Sequence, residues 1–164
     1  MTGNPMDCRK KTILVVDDEH DILAMVQRML EREGYTVWTS DNAEKAILMA
    51  DVHKAHLNLL LTDVQMPGMN GIEMSAVILS ENPALLCIYM SGHIPESIAP
   101  MGALKEGVNF IRKPFGVGAL TEMVNHALVT PGLPPPPPPP NEGGGTIIRH
   151  RKALAQALKA GVCP

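Results

Sequence analysis

Five side chains in this 164-residue chain sit at the ends of short apolar runs and carry groups that can act together: Asp17, Asp18, Asp63, Ser91 and Lys113. Three carboxylates gathered in a small space repel one another and rise in pKa unless a cation joins them, so the set implies a hard divalent ion. Magnesium fits. It takes carboxylate, carbonyl and water oxygens and leaves room for a phosphate, whereas no His or Cys pair here has the spacing that selects zinc. An aspartate can also attack phosphorus as a nucleophile. The metal would then neutralise phosphoryl oxygens, the lysine would pair with another, and the serine hydroxyl would donate to a third. Each residue alone has a plainer role: a helix cap for Asp17 or Asp18, a turn for Ser91 and Gly92, a surface cation for Lys113. Their matched positions favour the joint reading, a phosphoryl site.

The elements that must position them form an alternation. Ile13 to Val16 is an apolar run rich in branched residues that stops at Asp17, the profile of a buried strand. Ile22, Met25, Val26, Met29 and Leu30 then recur at helical spacing, and Gly34 stands where a C-terminal cap belongs. Tyr35 to Thr39 reads as a second strand, Asp41 or Asn42 as a cap, and Ala43 to Ala50 as a second helix with Ile47 inward. Leu57 to Thr62 is a third strand delivering Asp63. Met66 to Gly71 is a turn-rich loop, followed by a helix from Ile72 to Leu79 that Asn82 and Pro83 stop. Leu85 to Met90 is a fourth strand reaching Ser91. Pro95, Pro100 and Gly102 limit the fourth helix to a short piece around Ser97 to Lys105. Asn109 to Arg112 makes the fifth strand, and Leu120, Met123, Val124, Ala127 and Leu128 form the inward stripe of the fifth helix. Five strands alternating with five helices predict an α/β fold, a doubly wound parallel sheet covered on both faces. Ligands in such sheets bind at the carboxyl ends of the strands, where all five chemical groups fall.

With 45% hydrophobic and 19% charged residues, the chain holds one core-forming domain. Composition divides it: eight of the 15 prolines fall at Pro131 and Pro134 to Pro140. Residues 1–130 carry 10 Lys+Arg against 16 Asp+Glu, and residues 131–164 carry 4 against 1. An acidic domain repels phosphate backbones, which argues against direct nucleic-acid binding by the main body. Cys8, Cys87 and Cys163 are odd in number and far apart, the usage of a reducing compartment. No apolar run is long enough to span a bilayer, and Met1 to Lys11 lacks a signal-peptide stretch, so a cytoplasmic protein is expected.

Residues 12–129 resemble the receiver domain of two-component response regulators. The resemblance rests on I-L-V-V-D-D-E from Ile13, L-L-L-T-D-V-Q-M-P-G-M-N-G from Leu59, Y-M-S-G from Tyr89 and F-I-R-K-P-F from Phe110. The stretch from Cys87 to Phe115 is most similar to receivers attached to hybrid sensor histidine kinases. The resemblance implies a flavodoxin-like sheet of order 2-1-3-4-5 and Mg²⁺-dependent phosphorylation of one aspartate by a histidine kinase or histidine phosphotransfer protein. By position, Asp63 is the phosphoacceptor. Asp18, Asp63 and the Gln65 backbone carbonyl are metal ligands, and Asp17 holds a metal-bound water. Ser91 is the switch hydroxyl, Lys113 the phosphoryl partner, Pro114 the residue after a cis peptide, and Phe110 the switch aromatic that turns inward. Gln65 and His93 occupy positions that tune phosphoryl lifetime. A downstream protein would dock on the fourth helix, fifth strand and fifth helix, and a phosphorylation-dependent dimer is a further output.

The remaining segments are a flexible N-terminus over 1–11, a Pro/Gly-rich linker over 130–145 and a short basic tail over 146–164. The tail has helical spacing at Ile147, Leu154 and Leu158, and is too short for a DNA-binding output domain. The chain reads as a stand-alone member or a fragment of a hybrid kinase, with no enzymatic activity of its own. Two alternatives stand beside this. A haloacid-dehalogenase-like phosphatase also uses Asp, Mg²⁺, Ser and Lys, but its nucleophile lies in a D-x-D on the first strand, where this chain has adjacent Asp17 and Asp18. A pseudo-receiver serving only as an interaction module is disfavoured because none of the acids, the hydroxyl or the lysine is missing.

Overall fold

Along the central strands the side chains alternate between two separate cores, which is what a parallel sheet with helices on both faces requires. A computed structural model describes residues 10–93 and 104–130. In chain order its elements are β1 (Thr12–Val16), α1 (His20–Arg32), β2 (Thr36–Ser40), α2 (Ala43–Val52), β3 (Leu57–Asp63), α3 (Gly71–Glu81), β4 (Leu86–Ser91), β5 (Phe110–Arg112) and α4 (Val117–Val129). The strands form one parallel sheet in the order β2-β1-β3-β4-β5. Leu14, Val16, Leu60, Tyr89 and Phe110 face α2 and α3. Ile13, Val15, Leu59, Leu61, Ile88, Met90 and Ile111 face α1 and α4.

Four helices lie among the described residues, and α4 is the fifth helix expected from sequence. Most of the short helix expected around 97–105 lies outside the described residues, as do the N-terminal segment over 1–9, the linker beyond Thr130 and the basic tail. Its described end, Leu104 and Lys105, is not helical.

Local chemistry sets the helix ends. Gly34, at φ +91, closes α1: its N–H donates to the Glu31 carbonyl at 3.0 Å and the Tyr35 N–H to that of Leu30 at 3.2 Å, a Schellman pair. Asn42 caps α2 by accepting from the Lys45 N–H, and Asn70 opens α3 in a reciprocal capping box with Glu73. On α1 the stripe is rotated from the expected one: Leu23, Val26 and Leu30 are buried, while Ile22, Met25 and Met29 are half-buried at its margin. Both ridges are apolar, so sequence spacing could not decide which meets the sheet. The Tyr35 hydroxyl, donating to the Asn125 side chain, ties the α1–β2 turn to α4. Cys87 is a free thiol in the core, and burial pushes its pKa up to about 12, leaving it protonated and inert.

Gly71 packs α3 directly against the end of β3. A Cβ there would collide with the Asp63 carbonyl oxygen and lie 2.9 Å from both the Asp63 carbonyl carbon and Thr62 Oγ1. The obstacle is backbone that carries the buried Asp63, so it cannot swing aside. Gly71→Ala gains at most about 1 kcal/mol of helix propensity, and the overpacking costs more. We expect a net loss of about 1–3 kcal/mol, read as a lowered urea midpoint at unchanged slope.

Candidate functional site

Every strand that was expected to deliver a chemical group does so at the same edge of the sheet. Asp17 follows β1 and is wholly buried, Asp18 is exposed, and Asp63 ends β3 at 5% exposure. One carboxylate oxygen from each lies within 4.8 Å of the others. The backbone explains the divergence of the adjacent pair. Asp17 is pinned inward because its N–H donates to the Ser40 carbonyl at 3.2 Å and its Oδ1 accepts the Glu19 N–H at 2.9 Å. Its neighbour Asp18 therefore points to solvent at the mouth of the site. Asp63 is held from both sides: the Val64 N–H donates to the Met90 carbonyl at 3.0 Å, and the Gly71 N–H to the Val64 carbonyl at 2.9 Å. Thr62 Oγ1 donates to the Asp63 carbonyl, and the Gln65 N–H reaches Asp63 Oδ1 at 3.4 Å.

Lys113 enters from β5, where its N–H donates to the Ser91 carbonyl at 2.9 Å. The peptide joining it to Pro114 is cis. Its Nζ lies 2.7 Å from Asp17 Oδ2, 3.5 Å from Asp63 Oδ2 and 3.8 Å from Glu19 Oε1. Ser91 Oγ is engaged locally, donating to the His93 carbonyl at 2.7 Å and accepting the His93 N–H at 3.3 Å. The resulting cavity, about 430 Å³, is lined by Asp18, Glu19, Asp63, Gln65, Ser91, Gly92, His93 and Lys113. Phe110 does not line it. It is buried in the core, beside Tyr89 on β4, whose hydroxyl meets Ser75 Oγ at 2.7 Å.

Four carboxylates therefore face one ammonium. Burial is the largest influence on Asp63 and raises it; the Asp17 and Asp18 charges raise it further, while Lys113 and the Gln65 N–H pull it down, leaving it at about 6. Burial lowers the Lys113 pKa, but the Asp17 hydrogen bond and the Asp63, Asp17 and Glu19 charges outweigh it, and the net direction is up. Lys113 stays charged and does not neutralise the cluster. An all-oxygen donor set with surplus negative charge, open on one side, fits a hard divalent cation such as Mg²⁺.

Three contributors were not singled out from the sequence. Glu19, read only as part of an acidic run, is a third carboxylate on Lys113. Gly71 abuts the Asp63 backbone, and its signal was a glycine directly after the Asn70 cap. Ser75 and Tyr89 form a buried polar pair behind Phe110, which strand alternation could place in the core but could not pair.

The response regulator receiver domain model matches residues 13–125. The chain is 36% identical over 123 residues to the nitrogen assimilation regulatory protein NtrX of Azorhizobium caulinodans, covering 72% of this chain and 26% of that protein. Among solved structures it is similar to the beryllofluoride-activated NtrC4 receiver domain dimer, with TM-score 0.60 and 28% identity over 72% of this chain and 96% of that one. It is also similar to the receiver domain of the hybrid histidine kinase CckA, with TM-score 0.56 and 27% identity over 71% and 98%. The chain spans about a quarter of the length of the first curated relatives it matches. With this fold, this edge of acids and this match over most of its described length, the chain belongs to the response regulator receiver domain family.

Proposed function

We propose that the chain is the phosphoacceptor of a two-component relay, with Asp63 receiving the phosphoryl group from a phosphohistidine on a sensor histidine kinase or histidine phosphotransfer protein. The observation that carries this reading is the placement of Asp63 in an open cavity, 3.5 Å from the Lys113 ammonium and grouped with Asp17 and Asp18. An Asp63 carboxylate oxygen attacks phosphorus as the P–N bond breaks, and the departing imidazole takes up a proton. Asp18, Asp63 and the Gln65 carbonyl would hold Mg²⁺, with Asp17 on a water ligand, and the ion supplies neutralising charge to the phosphoryl oxygens. Lys113 turns from Asp17 toward a phosphoryl oxygen, and Ser91 exchanges its bond to the His93 carbonyl for another.

The switch arises from these exchanges. Ser91 and Lys113 are joined through β4 and β5, so drawing both toward a dianion shifts the packing around Phe110. The output surface is then the fourth helix expected from sequence together with β5 and α4, open to a downstream protein or a second copy. The chain is a cytoplasmic signalling module without turnover of its own. No described helix is long and apolar enough to cross a membrane. A haloacid-dehalogenase-like phosphatase is not favoured, since Asp17 and Asp18 follow β1 as adjacent acids rather than a D-x-D, and Asp63 lies at the end of β3.

Incubating the chain with acetyl phosphate and Mg²⁺ should add roughly 80 Da to the wild type and nothing to Asp63→Asn. Absence of the adduct at every donor concentration would sink the phosphoacceptor reading, and steady hydrolysis of assorted phosphomonoesters would favour the phosphatase. A pH series tests the electrostatics independently. Asp63 titrates at about 6 when folded and at about 3.9 when unfolded, so between these values the folded state holds the extra proton. Stability therefore falls as pH rises through that window. In chelator, Asp63→Asn should melt on the order of 5 °C above wild type at neutral pH, a gap that closes below the unfolded value.

A further inference from the structure

On the side of β5 away from the acidic cavity, an open groove of about 500 Å³ runs between β5 and α4. Phe110, Ile111 and Met123 line it but are themselves buried, so what it presents outward is the polar groups of Glu106, Glu122 and His126. Glu122 is exposed and has no ion pair among the described residues. Glu106 meets Arg112 only at 3.7 Å, with both side chains more than half exposed, a contact that a better-placed cation readily displaces. The chain leaves the described domain beside this groove: the Thr130 N–H donates to the carbonyl of His126, itself a lining residue.

The chain beyond Thr130 complements the groove in charge and reach. Residues 131–164 carry four cations, Arg149, Arg151, Lys152 and Lys159, against one acid, Glu142, whereas residues 1–130 carry 10 cations against 16 acids. The fifteen residues 131–145, ending in Gly143 to Gly145, are a long enough connection for the basic segment to return to the domain it leaves. The cations would meet Glu106 and Glu122. A tether this short gives an effective concentration on the order of millimolar, so a contact too weak to hold between separate molecules is populated within one chain.

We infer that the basic segment 146–159 of this chain docks on its own groove between β5 and α4 through Glu106 and Glu122. The test places a nitroxide on Cys163 in the full chain carrying Cys8→Ser, Cys87 being buried, and reads amide intensities in ¹⁵N spectra with the label oxidised and reduced. Amides of Gly107, Ala119, Glu122, Met123 and His126 should lose intensity roughly two-fold or more at low salt, and recover near 0.5 M salt where the screening length falls to about 4 Å. The triple variant Arg149→Glu, Arg151→Glu, Lys152→Glu, altered only outside the folded domain, should abolish the loss without moving the other signals. Equal intensities in both states of the label would overturn the inference. So would broadening centred on Asp18 and Asp63, or broadening that arises only when label and ¹⁵N are on different chains, which would assign the groove to a second copy.

Discussion

The carboxyl edge of the sheet is governed by the burial of acids that the fold holds together. Asp17 and Asp63 are buried by the backbone that carries them, and the nearest cation, Lys113, is bonded most closely to Asp17. One ammonium cannot satisfy both buried acids, let alone Asp18 and Glu19 at the rim. Burial above all, with the Asp17 and Asp18 charges added, raises the pKa of Asp63 to about 6 against the pull of Lys113 and the Gln65 N–H. In the proposed phosphoacceptor role, a divalent cation would offset the charge of these acids, and a phosphoryl group would draw Lys113 from its bond with Asp17.

Such a site works only if the backbone beneath it does not yield. Here the restraint is distributed across three strands. Val64 is tied to Met90, Gly71 to Val64, and Lys113 to Ser91, so the acceptor, hydroxyl and lysine are linked by main-chain hydrogen bonds rather than by side chains alone. The flanking strand residues Leu59 to Leu61 and Ile88 to Met90 are wholly inaccessible. Displacing any one of them sacrifices contacts on two faces of the sheet, a larger cost than the electrostatic strain at its edge.

The sequence revealed much of this because the two governing patterns are local. Apolar runs that stop at Asp17, Asp63, Ser91 and Lys113 give both strand positions and the identity of the groups they deliver, and parallel winding places those ends together. The part that was not legible depends on facing surfaces. Leu23 and Ile22 are both apolar neighbours, and only contact with the sheet decides that Leu23 is the buried one. Glu19 reads as one more acid in a run, and its pairing with Lys113 requires residues 94 positions apart to meet. Gly71 looks like an ordinary loop glycine until the close approach of the Asp63 carbonyl gives it a reason. The motifs were sufficient to assemble the site, but not to identify which neighbours hold it in shape.

Phe110 belongs to several parts of this structure at once. Its side chain is part of the core on the α2–α3 face, it also borders the groove beside α4, and three residues on in the same chain is the lysine of the acidic site. On the neighbouring strand it pairs with Tyr89, whose hydroxyl meets Ser75 Oγ. Lys113 follows directly on β5, a strand of three residues that pairs with β4 at the edge of the sheet. Under the proposed phosphoacceptor role, this short edge strand between the charged cavity and the groove is the path by which a local change in charge would become a change in surface. That route needs no rearrangement of the central strands.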